Sequence, residues 1–256
     1  KQNRMLAMPN LPKCYGIIPS RYKSTRLPGK PLADIHGKPM FWHVYQRAAA
    51  CPYFENVVIA TESELIMEAA AKYAIPGVMT SDQHQSGTDR VLEAAEILGV
   101  TENDVVANIQ GDEPAIHPEM MNELLEPFAN AAVQVSTLAH LITKEEAQNP
   151  NRVKVVLTHD QTALYFSRSP IPYDREGINP TYYNHIGLYA FRMPVLRQFP
   201  NLPKSDLEKA ECLEQLRLMQ VKIPIHVGIT KHKNASVDVP QDLEIVKTLI
   251  LPQEAQ

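Results

Sequence analysis

Hydrophobic positions along this chain fall into short apolar runs of strand length, separated by stretches in which apolar residues recur at helical spacing. The run from Tyr15 to Ile18 stops at Pro19 and opens into a polar loop. Pro31 to Pro39 reads as a small β excursion turning at His36-Gly37, followed by a helix over Met40 to Ala50. Asn56 to Ala60 is a second buried strand, and Thr61-Glu-Ser-Glu64 has the capping-box spacing that opens a helix through about Tyr73. A polar loop from Thr80 to Arg90 precedes a helix over Val91 to Leu98, and a further apolar strand ends at Ile109. Pro118 to Phe128 reads as a helix with proline in its first turn, and Val133 to Ile142 as a strand. Val153 to Leu157 and Ala163 to Phe166 make an antiparallel hairpin, and His185 to Phe191 alternates as a strand. Leu207 to Met219 is predicted helical, with Leu207, Ala210, Leu213 and Leu216 on one stripe. Ile223 to Gly228 is the last strand, and Pro240 starts the last helix.

This alternation predicts an α/β fold: a mostly parallel, Rossmann-like sheet flanked by helices, with a smaller antiparallel subregion. The expected layout is a single α/β domain over 14–256 preceded by an N-terminal extension over 1–13. With 256 residues, 44% of them apolar and 21% charged, the chain can bury a sizeable core of ordinary globular composition. A net charge of −4 argues against nucleic acid or an anionic membrane surface as partner. Cys14, Cys51 and Cys212 show no metal or redox spacing and read as reduced, packed thiols of a cytoplasmic protein. No apolar run approaches the ~20 residues of a membrane-spanning helix, and Lys1 to Lys13 lacks the apolar centre of a signal peptide.

Positive charge is concentrated where it changes this picture. Residues 21 to 38 carry five Lys/Arg against a single acid, Asp34. The loop after the first strand holds Arg21, Lys23, Arg26 and Lys30 among Ser20, Ser24, Thr25 and Gly29. At the carboxyl end of a strand such a loop suits phosphate, although a solvated basic loop has the same composition. It is neither a Walker A loop nor a dinucleotide turn. Ser86-Gly87-Thr88 offers small donors near a helix start, or equally Thr88 as a helix cap. Gln110-Gly-Asp112 follows a strand end, where a carboxylate suits a phosphate-bound Mg²⁺ or merely an Asx turn. His185 and Tyr189, four apart, share one face of their strand, as ligand contacts or as satisfied core residues. Glu208, Glu211, Glu214 and Gln215 lie off the apolar stripe of their helix, and Asp238 stands where a helix-dipole carboxylate also would.

Several segments together resolve these choices. Arg-Leu-Pro-Gly-Lys-Pro at 26–31, His-Gln-Ser-Gly-Thr-Asp-Arg at 84–90, Gln-Gly-Asp-Glu-Pro at 110–114, His-x-Gly-x-Tyr at 185–189, Leu-Glu-Gln at 213–215 and Val-Asp-x-Pro-x-Asp-Leu at 237–243 stand in the order of one family. Together they resemble the 3-deoxy-manno-octulosonate (Kdo) cytidylyltransferases of the sugar nucleotidyltransferase superfamily, from about Tyr15 to Leu249. The resemblance implies transfer of CMP from CTP to Kdo with release of pyrophosphate, activating Kdo for lipopolysaccharide biosynthesis. It assigns Arg21 and Lys30 to the triphosphate, and Ser20, Ser86, Gly87, Arg90 and Gln110 to the nucleotide. It assigns Asp112 and Asp238 to Mg²⁺, and His185, Tyr189, Glu214 and Gln215 to the sugar acid. It further implies a homodimer, with residues about 150–222 as the sugar-binding and subunit-contact subregion. The rival readings are a CMP-sialic acid or 8-amino-Kdo enzyme, a non-catalytic nucleotide-binding module, and a nucleic-acid binder.

Overall fold

A computed structural model describes residues 10–23, 27–84 and 86–251. The expectations for Ser24, Thr25, Arg26 and Gln85, and most of the N-terminal extension, lie outside the described residues. In chain order the strands are β1 (Cys14–Pro19), β2 (Asp34–Ile35), β3 (Lys38–Pro39), β4 (Phe54–Thr61), β5 (Gly77–Met79), β6 (Val105–Asn108), β7 (Val135–Ile142), β8 (Lys154–Leu157), β9 (Ala163–Ser167), β10 (Tyr182–Arg192) and β11 (Ile225–Ile229). The helices are α1 (Met40–Ala49), α2 (Glu64–Lys72), α3 (Gly87–Ile97), α4 (Glu119–Leu125), α5 (Lys144–Ala147), α6 (Met193–Gln198), α7 (Asp206–Glu211), α8 (Leu216–Gln220) and α9 (Pro240–Leu249).

The main sheet runs β11-β7-β10-β6-β1-β4-β5, with the β8-β9 hairpin joined to it through β10. Along that path β10 is antiparallel to both neighbours, while the other described pairings are parallel. The sheet is thus mostly parallel, and its antiparallel part is a strand inside it as well as a hairpin beside it. Alternation explains why it is covered twice. Ile18 and Ile59 pack with α1, α2 and α4, whereas Ile17 and Val58 point the other way, toward α3, α6 and α8. A third, smaller cluster of Ile35, Met40, Val237, Val246 and Ile250 fastens α9 to the β2-β3 excursion, bringing the last helix back to the first loop. Among the described residues no helix is long and apolar enough to cross a membrane.

Three local expectations change. Thr61 is the buried last residue of β4, and α2 begins at Glu64 with Ser63 at its N-cap, so the Thr61 capping box does not form. Ser86, not Thr88, caps α3: its hydroxyl accepts from Asp89 N–H while the Asp89 carboxylate accepts from Ser86 N–H. The predicted helix over 207–219 is two short helices, broken at Cys212, which takes a left-handed conformation (φ 51°). The break exposes Leu207 and buries Glu208, which takes two hydrogen bonds from buried Arg217 at 2.8 and 2.5 Å. Cys212 itself is exposed, unlike buried Cys14 and Cys51. Burial, first of all, pushes the Cys14 thiol up to about 12, so it stays protonated and inert.

Candidate active site

A cleft of about 500 Å³ opens where β1 and β6 end, lined among others by Ser20, Arg21, Lys23, Lys30, Gln110 and Asp112. The strand ends meet closely. A Cβ on Gly111 would stand 2.7 Å from the Pro19 carbonyl oxygen, which only glycine avoids. Ser20 N–H donates to the Ala60 carbonyl, tying the loop's start to the end of β4. Gly87, first residue of α3, also lines the cleft, so the capped start of an eleven-residue helix faces it.

Lys30 is the centre of charge. Its ammonium lies 2.8 Å from Asp112 Oδ2 and 3.6 Å from Asp238 Oδ1. Residues far apart in sequence thereby converge on one cation position. The backbone holds them there: Val237 N–H donates to the Asp112 carbonyl, and Asp242 Oδ2 accepts from Asp238 and Val239 N–H. Two carboxylates that already share a cation form a donor set a divalent ion fits. Beside them Glu113 is buried, with Asn234 donating to its Oε1. Burial, then the neighbouring Asp112 carboxylate, pushes its carboxyl up to about 8.

Arg90 departs from its expected place. Its side chain is 1% exposed and is not among the residues that line the cleft; it pairs with Glu62 Oε2 at 2.9 Å and donates to Thr80 Oγ1. Its guanidinium is thus bonded within the scaffold rather than open to the cleft. Sequence reasoning missed Glu62, whose other oxygen accepts from Tyr22 N–H at 3.0 Å and so ties the basic loop to Arg90. Its capping-box context gave no signal for that.

A second group of polar residues gathers on β10. His185 and Tyr189 share a face, with rings 5.4 Å apart, and Tyr189 pairs across the sheet with Asn108, two residues before Gln110. Burial, then the Glu214 carboxylate, raises the Tyr189 phenol well above its ordinary value. Buried Asn108 Oδ1 and Gln215 Nε2 have no hydrogen-bond partner among the described residues, a state that a polyhydroxyl ligand would relieve. Burial lowers His185 to about 3, so its imidazole is neutral. Thr137 Oγ1 lies 2.7 Å from the Leu188 carbonyl and 3.0 Å from His185 Nε2. The hydroxyl proton goes to the carbonyl, so His185 Nε2–H donates to Thr137 and Nδ1 is left as an acceptor. Asn108 and Thr137 were not singled out from the sequence; apolar strand context masks both. Arg168 donates to the Glu211, Pro150 and Cys212 carbonyls and braces the α7-α8 break.

A basic loop facing paired carboxylates at the carboxyl ends of a mostly parallel sheet is the arrangement of a nucleotidyl-transferring enzyme. The chain belongs to the cytidylyltransferase family, whose model matches residues 15–225, and within it to the 3-deoxy-manno-octulosonate cytidylyltransferases. It is 53% identical over 241 residues to the enzyme of that name from Nitratidesulfovibrio vulgaris (strain DP4), covering 93% of this chain and 96% of the relative. It is 54% identical over 240 residues to the one from Lawsonia intracellularis, covering 93% and 94%. The solved structure of a CMP:2-keto-3-deoxy-manno-octonic acid synthetase complexed with CTP superposes with a TM-score of 0.89 at 44% identity, covering 93% of this chain and 98% of the other.

Proposed function

We infer that this enzyme transfers CMP from CTP to Kdo, giving CMP-Kdo and pyrophosphate. The observation that carries the reading is the convergence of Asp112 and Asp238 on the Lys30 ammonium at the floor of the basic cleft. Asp112 and Asp238 would hold a Mg²⁺, whose chemistry when bound is to neutralise charge developing on the phosphate oxygens and to acidify a coordinated hydroxyl. Lys30 then turns from the carboxylates to the triphosphate, where with Arg21 it stabilises the departing pyrophosphate. Gly87 and Gln110 position the nucleotide from the cleft wall, with Ser20 and Ser86 shaping the turns that hold them. His185, Tyr189, Glu214, Gln215 and Asn108 orient the sugar acid, with His185 Nδ1 accepting from a sugar hydroxyl. The anomeric hydroxyl of the sugar acid attacks the α-phosphorus in line; the new O–P bond forms as the α–β phosphoanhydride bond breaks to release pyrophosphate, and the hydroxyl proton passes to water. No side chain is needed as covalent nucleophile.

The test is pyrophosphate release from CTP and Mg²⁺ with Kdo, 8-amino-Kdo and sialic acid in parallel, alongside Asp112→Ala. Release with Kdo, lost in the variant and on chelation of the metal, supports the reading; release with a different sugar acid alone overturns the substrate. Exposed Tyr173, Ile178, Leu164 and Leu141 support the homodimer as part of this proposal. Sedimentation equilibrium giving a monomer mass would refute that part. The buried free thiols Cys14 and Cys51, and CTP as the substrate, favour the cytoplasm as the working compartment.

A further inference from the structure

The loop that leads from β11 to α9 crosses the start of α4, and there two imidazoles and a carboxylate meet. The side chains are His117 and Glu119, on the approach to α4 and its first residue, and His232 on the loop. One ligand atom from each lies within 4.8 Å of the others. His232 Nε2 is 2.8 Å from Glu119 Oε2, and the His117 and His232 rings stack with centroids 3.6 Å apart and planes 8° from parallel. The N–H of Glu119 donates to His117 Nδ1 at 3.3 Å, a long contact that ligation by this ring would replace. Lys231 Nζ, 3.4 Å from Glu119 Oε2, already places a positive charge at the cluster.

We propose that His117, Glu119 and His232 form a second cation site, separate from the Asp112–Asp238 pair, that binds a transition-metal divalent ion and fastens this loop to α4. The donor set selects the metal. Two imidazoles and one carboxylate suit Zn²⁺, Co²⁺, Ni²⁺ or Cu²⁺, whereas Mg²⁺ prefers oxygen ligands and keeps its waters. Three protein ligands leave an outward position for water. The location gives the site a consequence. From this point the loop is bonded along the segment that carries Asp112: Asn234 donates to Glu113, and Val237 N–H donates to the Asp112 carbonyl. An ion at the His232 end therefore stiffens the loop whose other end presents Asp238.

Co²⁺ titration of the chelator-stripped full chain tests this, with d–d absorption as the readout and Cys212→Ser as background so that the exposed thiol contributes nothing. With excess Mg²⁺ present to occupy the Asp112–Asp238 pair, one saturable site with bands of nitrogen and oxygen ligation is expected, and Zn²⁺ should displace the Co²⁺. His232→Ala should weaken binding by at least about tenfold. His117→Phe keeps a stacking ring but no ligand atom, and should weaken it similarly. Lys231→Ala should tighten it by removing a competing charge, and Asp112→Ala should leave the spectrum unchanged. Circular dichroism checks that each variant is folded. Absence of bands in the parent, or bands that survive His117→Phe and His232→Ala, would overturn the site.

Discussion

The two ends of the candidate active site, the phosphate end and the sugar end of the proposed reaction, are made differently. At the phosphate end, charged side chains stand on loops at strand termini: Arg21, Lys23 and Lys30 after β1, and Asp112 after β6, all lining an open cleft. At the sugar end, mostly neutral polar groups stand on strand faces or at a helix break, several of them buried: Asn108, Thr137 and Gln215, with neutral His185 among them and Glu214 as the one carboxylate. The first end recognises charge, which acts over distance and tolerates mobile side chains. The second recognises hydroxyls, which demands fixed donors and acceptors in a dry setting, where an unmatched group is costly. Chemistry should therefore be lost by substitutions at the first end, and stability or substrate affinity by substitutions at the second.

The largest effect separates the two. Asp112→Ala should lower kcat by about 10³-fold, roughly 4 kcal/mol, because charge on the phosphate oxygens goes unmatched in the transition state. Urea unfolding of the same variant should move little, since Asp112 is partly exposed. A fall in kcat below tenfold would break the comparison at its strongest point.

The Glu208–Arg217 pair supports the opposite end. Both side chains are 8% exposed, and Glu208 is held below the usual carboxylate range chiefly by the Arg217 hydrogen bonds. Glu208→Ala leaves a buried guanidinium unpaired and should cost about 3 kcal/mol in urea unfolding. Kdo affinity should fall too, because Arg217 lies two residues after Gln215. A variant with full stability would show the α7-α8 break to be held by other contacts.

Glu62→Gln is the intermediate case, acting on the phosphate end through its support. The amide keeps the shape but loses the charge facing Arg90, so the Tyr22 loop should loosen. KM for CTP should rise about tenfold, from roughly 1.4 kcal/mol of lost charge-assisted bonding, with kcat and KM for Kdo held. Equal changes in kcat and KM for CTP would instead make Glu62 part of the chemistry.

The same contrast explains what could be read from the sequence. The phosphate end is written contiguously: the basic loop, Gln110-Gly111-Asp112 and the motif around Asp238 each lie within a few residues. The family motifs pair Asp112 with Asp238 on one ion; only the place of Lys30 between them needed the fold. The sugar end is assembled across strands, so His185 and Tyr189 were legible as a pair on one face, while Asn108 and Thr137 were hidden in apolar strand sequence. The break at Cys212 escaped because a left-handed residue with a side chain leaves no mark on helical periodicity. Buried Glu208 escaped because its partner, Arg217, comes within reach only after that break. The mostly parallel sheet was legible from alternation alone, but the antiparallel entry of β10 into its middle is a tertiary choice made by the β8-β9 hairpin and the return to β6.

The smallest effect probes the tautomer of His185. Thr137→Val removes the acceptor for Nε2–H while keeping the shape, and should raise KM for Kdo about fivefold, equivalent to roughly 1 kcal/mol for one hydrogen bond, with kcat and KM for CTP unchanged. Between pH 5 and 8 the KM for Kdo should carry no titration from this ring, because its native value near 3 lies below that window. An inflection near the ordinary histidine value of about 6.5 that vanished in His185→Gln would mean a charged imidazole binds the sugar acid. Stability gives an independent reading with a definite sign. Burial depresses the native value below the unfolded one, so the neutral ring's contribution is present above about pH 6.5. It is lost as pH falls toward 3, because the unfolded chain then binds a proton that the native chain refuses. His185→Gln should therefore flatten the acid limb of the stability curve while leaving the alkaline limb in place.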